Sequence, residues 1–161
     1  MPKGDWTATV KFSSEFQAGN EEFSLALLQD KDQWIAARFY VGTKYGWDRL
    51  LGVGLWRHRA AEPPVHWEGW MSLGTDSAST DWNKFVSDNK LTPPIYLRLQ
   101  RAGHDFFASS RLESSEPDAW VTLNKIAELH VSGDLVLGFA QASQGTGQTQ
   151  AKEEWVKIEI P

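Results

Sequence analysis

The sequence predicts an all-β fold, an antiparallel sandwich or barrel with one short helix. About ten segments alternate apolar and polar residues with the period of two that is typical of a strand with one buried face. Short segments rich in Gly, Pro, Asp and Asn separate these strands. Helical spacing of apolar residues is confined to one short segment. A doubly wound α/β fold is therefore not expected, because it needs helices between its strands.

The first third of the chain predicts three strands. The first strand, residues 5–12, places Trp6, Ala8, Val10 and Phe12 on one face and polar residues on the other. The next two strands are residues 21–29 and 33–41. The short charged turn between those two strands predicts a hairpin.

The middle of the chain predicts two more strands and the short helix. The strands are residues 49–59 and 65–73. In the first of them Gly52 and Gly54 fall on the same face as Trp56, and a glycine inside a strand often marks the close approach of another group. The helix is predicted over residues 81–89, where apolar residues have helical spacing behind a capping Thr or Asp.

The C-terminal half predicts a β-meander followed by two further strands. Apolar and polar residues alternate from Ile95, and Gly103 can adopt the positive φ of a tight hairpin turn. The return strand is residues 104–111, and another turn leads to a strand that begins near Trp120. The last two predicted strands are residues 134–143 and 155–161.

Length and composition favour one globular domain, residues 1–161, rich in tryptophan. The chain has 161 residues, of which nine are tryptophan and none is cysteine. One core of this size buries roughly two thirds of the unfolded surface. The absence of cysteine excludes disulfides, thiolate zinc sites and cysteine nucleophiles. The excess of tryptophan has two readings: aromatic filling of the core, or rings that meet a ligand at the surface.

Charge and hydropathy limit the classes of partner. The formal net charge is -5, and the basic residues are scattered, which argues against nucleic acid as the main partner. No run of about 18 apolar residues occurs, so no membrane-spanning helix is expected. The N-terminus lacks the apolar segment of a signal peptide. We expect a cytoplasmic protein as written, or an extracellular one if the domain is excised from a secreted parent.

The segment LRLQRAGHDFFASS followed by Trp120, together with LALLQDKDQWIAARF, resembles domains of the concanavalin A-like lectin and glucanase superfamily. It is similar in particular to bacterial domains of unknown function related to the accessory domain of family 43 β-xylosidases. The matching positions are Leu97, Arg98, Leu99, Arg101, Gly103, Phe106, Ser109 or Ser110, and Trp120. The chain departs from these relatives at residues 153–156, and the tract 47–91 has no firm match. The resemblance implies an antiparallel two-sheet jelly-roll sandwich, but one fold hosts many activities.

The candidate binding site consists of ten polar and aromatic residues on the strand faces opposite the aliphatic ones. If the middle strands share one sheet, these residues converge on its concave face. Aromatic rings stack on the apolar faces of sugars, and charged groups hydrogen-bond hydroxyls. The opposing interpretation is that the strand faces are misassigned and the tryptophans lie in the core. The ten residues are Trp34, Arg38, Tyr40, Trp56, His58, His66, Glu68, Trp70, Tyr96 and Arg98.

Three functions are compatible with this face. The first is a noncatalytic carbohydrate-binding, lectin-like module whose partner is a glycan or oligosaccharide. The second is a glycoside hydrolase or other carbohydrate-active enzyme with Glu68 as acid or base; it would need a second carboxylate, for which Asp48 and Glu62 are the candidates. The third is a structural domain whose exposed tryptophans cover a protein partner.

No metal site or cofactor is predicted. His58 and His66 can meet across a hairpin, but two histidines without a third ligand more often lie at a surface. Calcium occurs in some jelly-roll relatives, so it stays open as a ligand. The loop carboxylates lack a recognisable calcium-binding spacing. They are Asp30, Asp32, Asp76 and Asp81.

Overall fold

The chain folds into two antiparallel β-sheets packed face to face. The computed structural model describes residues 4–13, 21–42, 49–59, 66–76, 94–113, 116–123, 127–131, 134–143 and 152–161. These residues form eleven strands and no helix. The predicted two-sheet antiparallel sandwich is confirmed. The short helix predicted over residues 81–89 lies outside the described residues.

Six strands form sheet A and five form sheet B. In sheet A the order is β11-β1-β6-β7-β8, with β9 also paired to β7, and in sheet B it is β10-β2-β3-β4-β5. The strands are β1 (Trp6–Ser13), β2 (Glu21–Asp30), β3 (Gln33–Gly42), β4 (Arg49–Arg59), β5 (His66–Asp76), β6 (Ile95–Ala102), β7 (Asp105–Leu112), β8 (Val121–Thr122), β9 (Ala127–Glu128), β10 (Val136–Ser143) and β11 (Lys152–Glu159).

The core lies between the sheets and contains the apolar face of each long strand. Trp6 and Phe106 make an edge contact within sheet A, with ring centroids 6.2 Å apart. Phe12 of sheet A meets Phe23 of sheet B at 5.3 Å, so aromatic rings join the two layers. All four of these residues are buried. Burial of such large side chains is the main source of stability in a sandwich of this size.

The hairpin between β6 and β7 forms where the sequence predicts it. Gly103 has φ of 63°, a value that side-chain-bearing residues adopt only with strain. Its amide donates to the Asp5 carboxylate at 2.8 Å, and its carbonyl accepts from Arg101 Nε at 2.7 Å. The turn is therefore held by a group of β6 and by the residue that precedes β1.

The sheets are also joined at one end of the sandwich by polar contacts. Arg57 of β4 donates to the Glu128 carbonyl of β9 at 2.9 Å, and Arg59 donates to the same carbonyl. These arginines lie on the same face of β4 as Val53 and Leu55, which face the core. Inner-face positions of β4 thus become polar where the core ends. Within the described residues no helix is long and apolar enough to span a membrane.

Candidate functional site

Five of the predicted site residues share the outer face of sheet B. They alternate with core residues such as Ile35, Phe39 and Leu55, so their side chains leave the sheet on the side away from the core. The register pairs Trp34 with His58 and sets both beside the Ala36–Trp56 pair. The five residues are Trp34, Arg38, Tyr40, Trp56 and His58.

Arg38 lies at the centre of this face. Its guanidinium carbon is 4.8 Å from the Trp56 ring centroid and 5.9 Å from that of Trp34. Its Nη1 forms an ion pair with Glu22 Oε1 at 2.7 Å. The His58 ring lies 5.8 Å from the Trp34 ring. We refer to Glu22, Trp34, Arg38, Trp56 and His58 as the Arg38 cluster.

The Arg38 cluster is half-buried rather than fully exposed or sealed in the core. The side chains of Arg38 and Glu22 are 23% and 13% exposed, and Trp34 and Trp56 are also half-buried. Ala36, on the same face, is only 2% exposed because larger neighbours cover it. Core filling therefore explains Trp6, which is buried, but not Trp34 or Trp56.

Part of the hydrogen-bonding capacity of the cluster is unused. Arg38 Nε and His58 Nδ1 are buried and have no hydrogen-bond partner among the described residues. A buried donor without a partner costs about 1–3 kcal/mol. Polar groups left in this state are suited to hydrogen-bond a ligand.

The predicted residues of β5 are described by their backbone register. Trp70 pairs with Gly54, which itself pairs with Arg38. The register then shifts between Leu55 and Trp56, so that Trp67 pairs with Trp56 and His66 with Arg57, while Glu68 falls at the shift. Such an irregularity breaks the simple alternation of faces. The single face predicted for His66, Glu68 and Trp70 therefore does not follow from the observed register, and their role in binding stays a prediction.

Tyr96 and Arg98 lie on the other sheet. Both belong to β6, and they alternate with the core residues Ile95, Leu97 and Leu99 of sheet A. The prediction that they line one face with Trp34 and Trp56 is wrong, because the core separates the two sets. A period of two shows which side of a strand faces outward, but both sheets of a sandwich have an outer face.

Tyr96 and Arg98 instead belong to a second cluster, on the outer face of sheet A. The Arg98 guanidinium carbon lies 3.6 Å from the centroid of the Trp120 ring, and that of Arg111 lies 4.0 Å from the Tyr96 ring and 5.7 Å from Trp120. The ring of Trp155 is 6.0 Å from Tyr96. We refer to these five residues as the Arg98 cluster.

Burial shifts the pKa of two groups in the Arg98 cluster. Burial lowers the pKa of Arg98, an effect that the nearby Glu159 charge opposes and the Arg111 charge reinforces. Burial also raises the pKa of the Tyr96 hydroxyl, and a hydrogen bond with Glu113 raises it further. Both shifts reflect groups held against the sheet by their neighbours.

Sequence reasoning missed several members of the two clusters. Glu22 carries a usable signal, since it alternates with Phe23 and Leu25 and its outer-face position is readable from β2 alone. Arg111 carries the same signal, since it ends the predicted return strand on the face opposite Phe106 and Ala108. Trp155 and Trp120 lack such a signal, because only the pairing of β11 with β1 and the path before β8 bring them to Tyr96 and Arg98.

The described residues contain no group of three or more His, Asp or Glu side chains that could hold a metal ion. His130 and Glu128 are in contact at 2.6 Å, and His104 stacks on His130 at 4.2 Å, near the end of β9. This trio lies apart from both clusters. Calcium, which the resemblance left open as a ligand, is not tested by these contacts.

Comparison with solved structures shows the fold. A xylan β-1,4-xylosidase from Bacillus halodurans superposes on 97% of this chain with a TM-score of 0.60 and 9% sequence identity. A functionally unknown protein from Saccharomyces cerevisiae gives 98% coverage, a TM-score of 0.56 and 12% identity, over 70% of its own length. A Bacteroides ovatus protein described as xyloglucan PUL GH43B gives 98% coverage, a TM-score of 0.53 and 12% identity.

The enzymes among these neighbours are much longer than this chain. The chain spans 28% of the xylosidase and 27% of the Bacteroides ovatus protein. The neighbouring domains are β-sandwiches of the concanavalin-like type. At such low identity the likeness shows the fold alone. No protein-family model and no curated protein matches the sequence.

Proposed function

We propose that the domain is a noncatalytic carbohydrate-binding module and that its binding site is the outer face of sheet B. The observation that carries the proposal is the Arg38 cluster, in which two half-buried tryptophans flank one guanidinium. Flat indole rings beside hydrogen-bonding groups match a sugar, which has apolar C–H faces and a rim of hydroxyls.

The charge balance of the cluster favours a neutral sugar. Glu22 compensates the charge of Arg38 at 2.7 Å, so the pair offers hydrogen bonds without a strong net field. Arg38 Nε and His58 Nδ1 are buried without hydrogen-bond partners among the described residues, and they can meet hydroxyl oxygens or protons. The cluster therefore combines stacking surface with several polar atoms that a ligand can satisfy.

We propose a noncatalytic role because Glu22, the described carboxylate on this face, is already paired with Arg38. Glu22 is held in an ion pair with Arg38, whereas glycoside hydrolysis generally uses two carboxylates on either side of the bond. The fold neighbours support a carbohydrate-related role, since they include a xylosidase and a GH43 protein. Neutral plant-type oligosaccharides are thus the first ligands to test.

The test is a glycan array of neutral oligosaccharides, followed by calorimetry on the best ligand. We expect Trp34→Ala and Trp56→Ala each to weaken binding about tenfold or more, because each removes a stacking surface near the centre of the site. Phe139→Ala is the matched control, since Phe139 is an aromatic residue that is 37% exposed and belongs to neither cluster. It should leave the affinity unchanged.

Thermal unfolding of each variant tests whether the fold is intact. The proposal fails if the wild type binds no glycan on the array, or if Trp34→Ala and Trp56→Ala bind as tightly as Phe139→Ala. A molecular mass above that of one chain, measured by light scattering in the absence of glycan, would instead favour a protein-interaction domain.

A further inference from the structure

We infer that the outer face of sheet A is a second binding site, specific for a carbohydrate that carries a carboxylate, that is, a uronate-bearing glycan. The site is the Arg98 cluster, and it lies on the opposite side of the core from the Arg38 cluster. The inference does not depend on the neutral-sugar function proposed above.

Two guanidinium groups meet at one indole ring in this site. The guanidinium carbons of Arg98 and Arg111 lie 3.6 Å and 5.7 Å from the centroid of Trp120, and that of Arg111 also lies 4.0 Å from Tyr96. Cation–π contacts and packing fix the planes of both groups. Two oriented planar forks beside one another are the geometry that a carboxylate can engage with paired hydrogen bonds.

Unlike the two lysines of this face, the two arginines have no carboxylate within ion-pair distance among the described residues, although the charge of Glu159 acts on Arg98. Lys11 forms an ion pair with Glu154 at 2.6 Å, and Lys157 forms one with Glu159 at 2.7 Å. Among the described residues, neither Arg98 nor Arg111 forms an ion pair with a carboxylate. Arg111 Nε is moreover buried without a hydrogen-bond partner there.

The positive charge of Arg98 is disfavoured in the absence of an anion, mainly by burial. Burial and the Arg111 charge both lower the pKa of Arg98, which shows that its positive form is disfavoured where it stands. The field of Glu159 offsets only part of this effect. An anion bound between the two groups would remove both penalties.

The rest of the face offers the exposed Thr122 hydroxyl and a stacking surface, which are features of sugar recognition, while the Thr9 and Ser109 hydroxyls are buried. One row of paired residues crosses five strands, about 19 Å at the usual strand spacing: Lys157, Thr9, Arg98, Ser109 and Thr122. The hydroxyls of Ser109 and Thr122 are 2.9 Å apart, and Arg98 Nε lies 3.4 Å from Thr9 Oγ1. Trp155, 41% exposed beside Tyr96, adds an open ring surface.

The experiment compares four ligands by calorimetry on the intact chain: an oligogalacturonate, its methyl ester, an oligoglucuronate and a polyglutamate peptide of matching charge. We expect at least one uronate oligomer to bind, with an affinity that falls as salt is added. Methyl esterification keeps the sugar and removes the charge. We expect it to weaken galacturonate binding about tenfold or more.

Protein variants locate the site. Arg98→Gln and Arg111→Gln should each weaken uronate binding about tenfold or more, and Arg98→Lys should fall between Arg98→Gln and the wild type, because it keeps the charge but not the planar fork. Lys31→Gln removes one charge from the exposed turn between β2 and β3, and it is the matched control. Lys31→Gln and Trp56→Ala should bind uronate as the wild type does.

Three results would overturn the inference. The first is that neither uronate oligomer binds, and the second is that the ester binds as tightly as the acid. The third is that polyglutamate binds more tightly than either uronate, which would make the ligand an acidic peptide. Loss of uronate binding on Trp56→Ala, with no loss on Arg98→Gln or Arg111→Gln, would equally move the site to sheet B.

Discussion

Each outer face of the sandwich has an arginine guanidinium packed against a tryptophan ring, but the charged neighbours of the two arginines differ. On sheet B the Arg38 guanidinium lies 4.8 Å from the ring of Trp56, and on sheet A the Arg98 guanidinium lies 3.6 Å from that of Trp120. Arg38 has a carboxylate partner, Glu22, at 2.7 Å. Arg98 instead has a second guanidinium, Arg111, as its neighbour on the same ring.

This difference shows that an arginine on an aromatic ring does not by itself define a ligand. The ring fixes the position of the guanidinium, and the next charged neighbour decides whether the site is neutral or positive. An arginine in an ion pair with a carboxylate offers hydrogen bonds to hydroxyls, while two neighbouring arginines without such a partner select an anion. The two faces therefore differ in the charged residue beside the arginine and its ring, which is Glu22 on sheet B and Arg111 on sheet A.

A change in the shared core should affect both faces together and should have the largest effect on stability. Phe106 is fully buried and packs against Trp6 at 6.2 Å. We expect Phe106→Ala to lower the free energy of unfolding by about 3–5 kcal/mol, measured by urea denaturation. Phe107→Ala is the control, because Phe107 is half-buried on the outer face of the same strand and should cost less than half as much.

If Phe106→Ala abolished binding at one face while the other bound normally and the protein remained folded, the two faces would not depend on one common core. Both binding assays described above serve as the readout. A loss of stability from Phe107→Ala equal to that from Phe106→Ala would show that the two sides of β7 are equally buried.

Removing the compensating acid should make the face of sheet B more like that of sheet A. Glu22→Gln leaves the half-buried Arg38 without its ion-pair partner. We expect the free energy of unfolding to fall by about 1–2 kcal/mol, less than for a fully buried pair because both side chains are partly exposed. Chemical denaturation measures this loss.

Arg98→Gln is the matched comparison for Glu22→Gln, since it breaks no ion pair among the described residues. The loss of its cation–π contact and of its attraction to Glu159 is offset by relief of the burial of its charge and of the repulsion from Arg111, so we expect a change within about 0.5 kcal/mol. Equal losses from the two variants would show that Glu22 does not compensate Arg38 in solution.

The smallest predicted effect is a difference in alkaline stability. Burial, together with the hydrogen bond with Glu113, raises the pKa of Tyr96 above its ordinary value of 10.0. The unfolded chain then loses this proton at a lower pH than the folded protein, so the stabilising contribution is complete below about pH 10 and declines as the pH rises toward the folded value. Tyr96→Phe should remove this decline, as measured by thermal unfolding from about pH 9 upward.

The wild type is the reference for the alkaline experiment. If Tyr96→Phe declined as steeply as the wild type, Tyr96 would not be the titrating group.

The sequence predicts which residues share the Arg38 face, but it does not predict which residues meet in the Arg98 cluster. Trp34, Arg38, Tyr40, Trp56 and His58 belong to β3 and β4, which are neighbours both in the chain and in sheet B. Their alternation with Ile35, Phe39 and Leu55 was enough to bring them together. Tyr96 and Arg98 face away from the core as the sequence predicts, but they lie on sheet A rather than beside Trp34 and Trp56 on sheet B.

The sequence by itself determined the class of the fold, most of the strands, the Gly103 turn and the side of each long strand that is buried. All of these depend on local chemistry: the alternation of side chains along a strand and the conformational freedom of one glycine. Only the tertiary structure decided that Tyr96 belongs with Trp155 and that Glu22 compensates Arg38. Such contacts depend on which strands pair, and pairing is set by the packing of the whole sandwich rather than by any one segment.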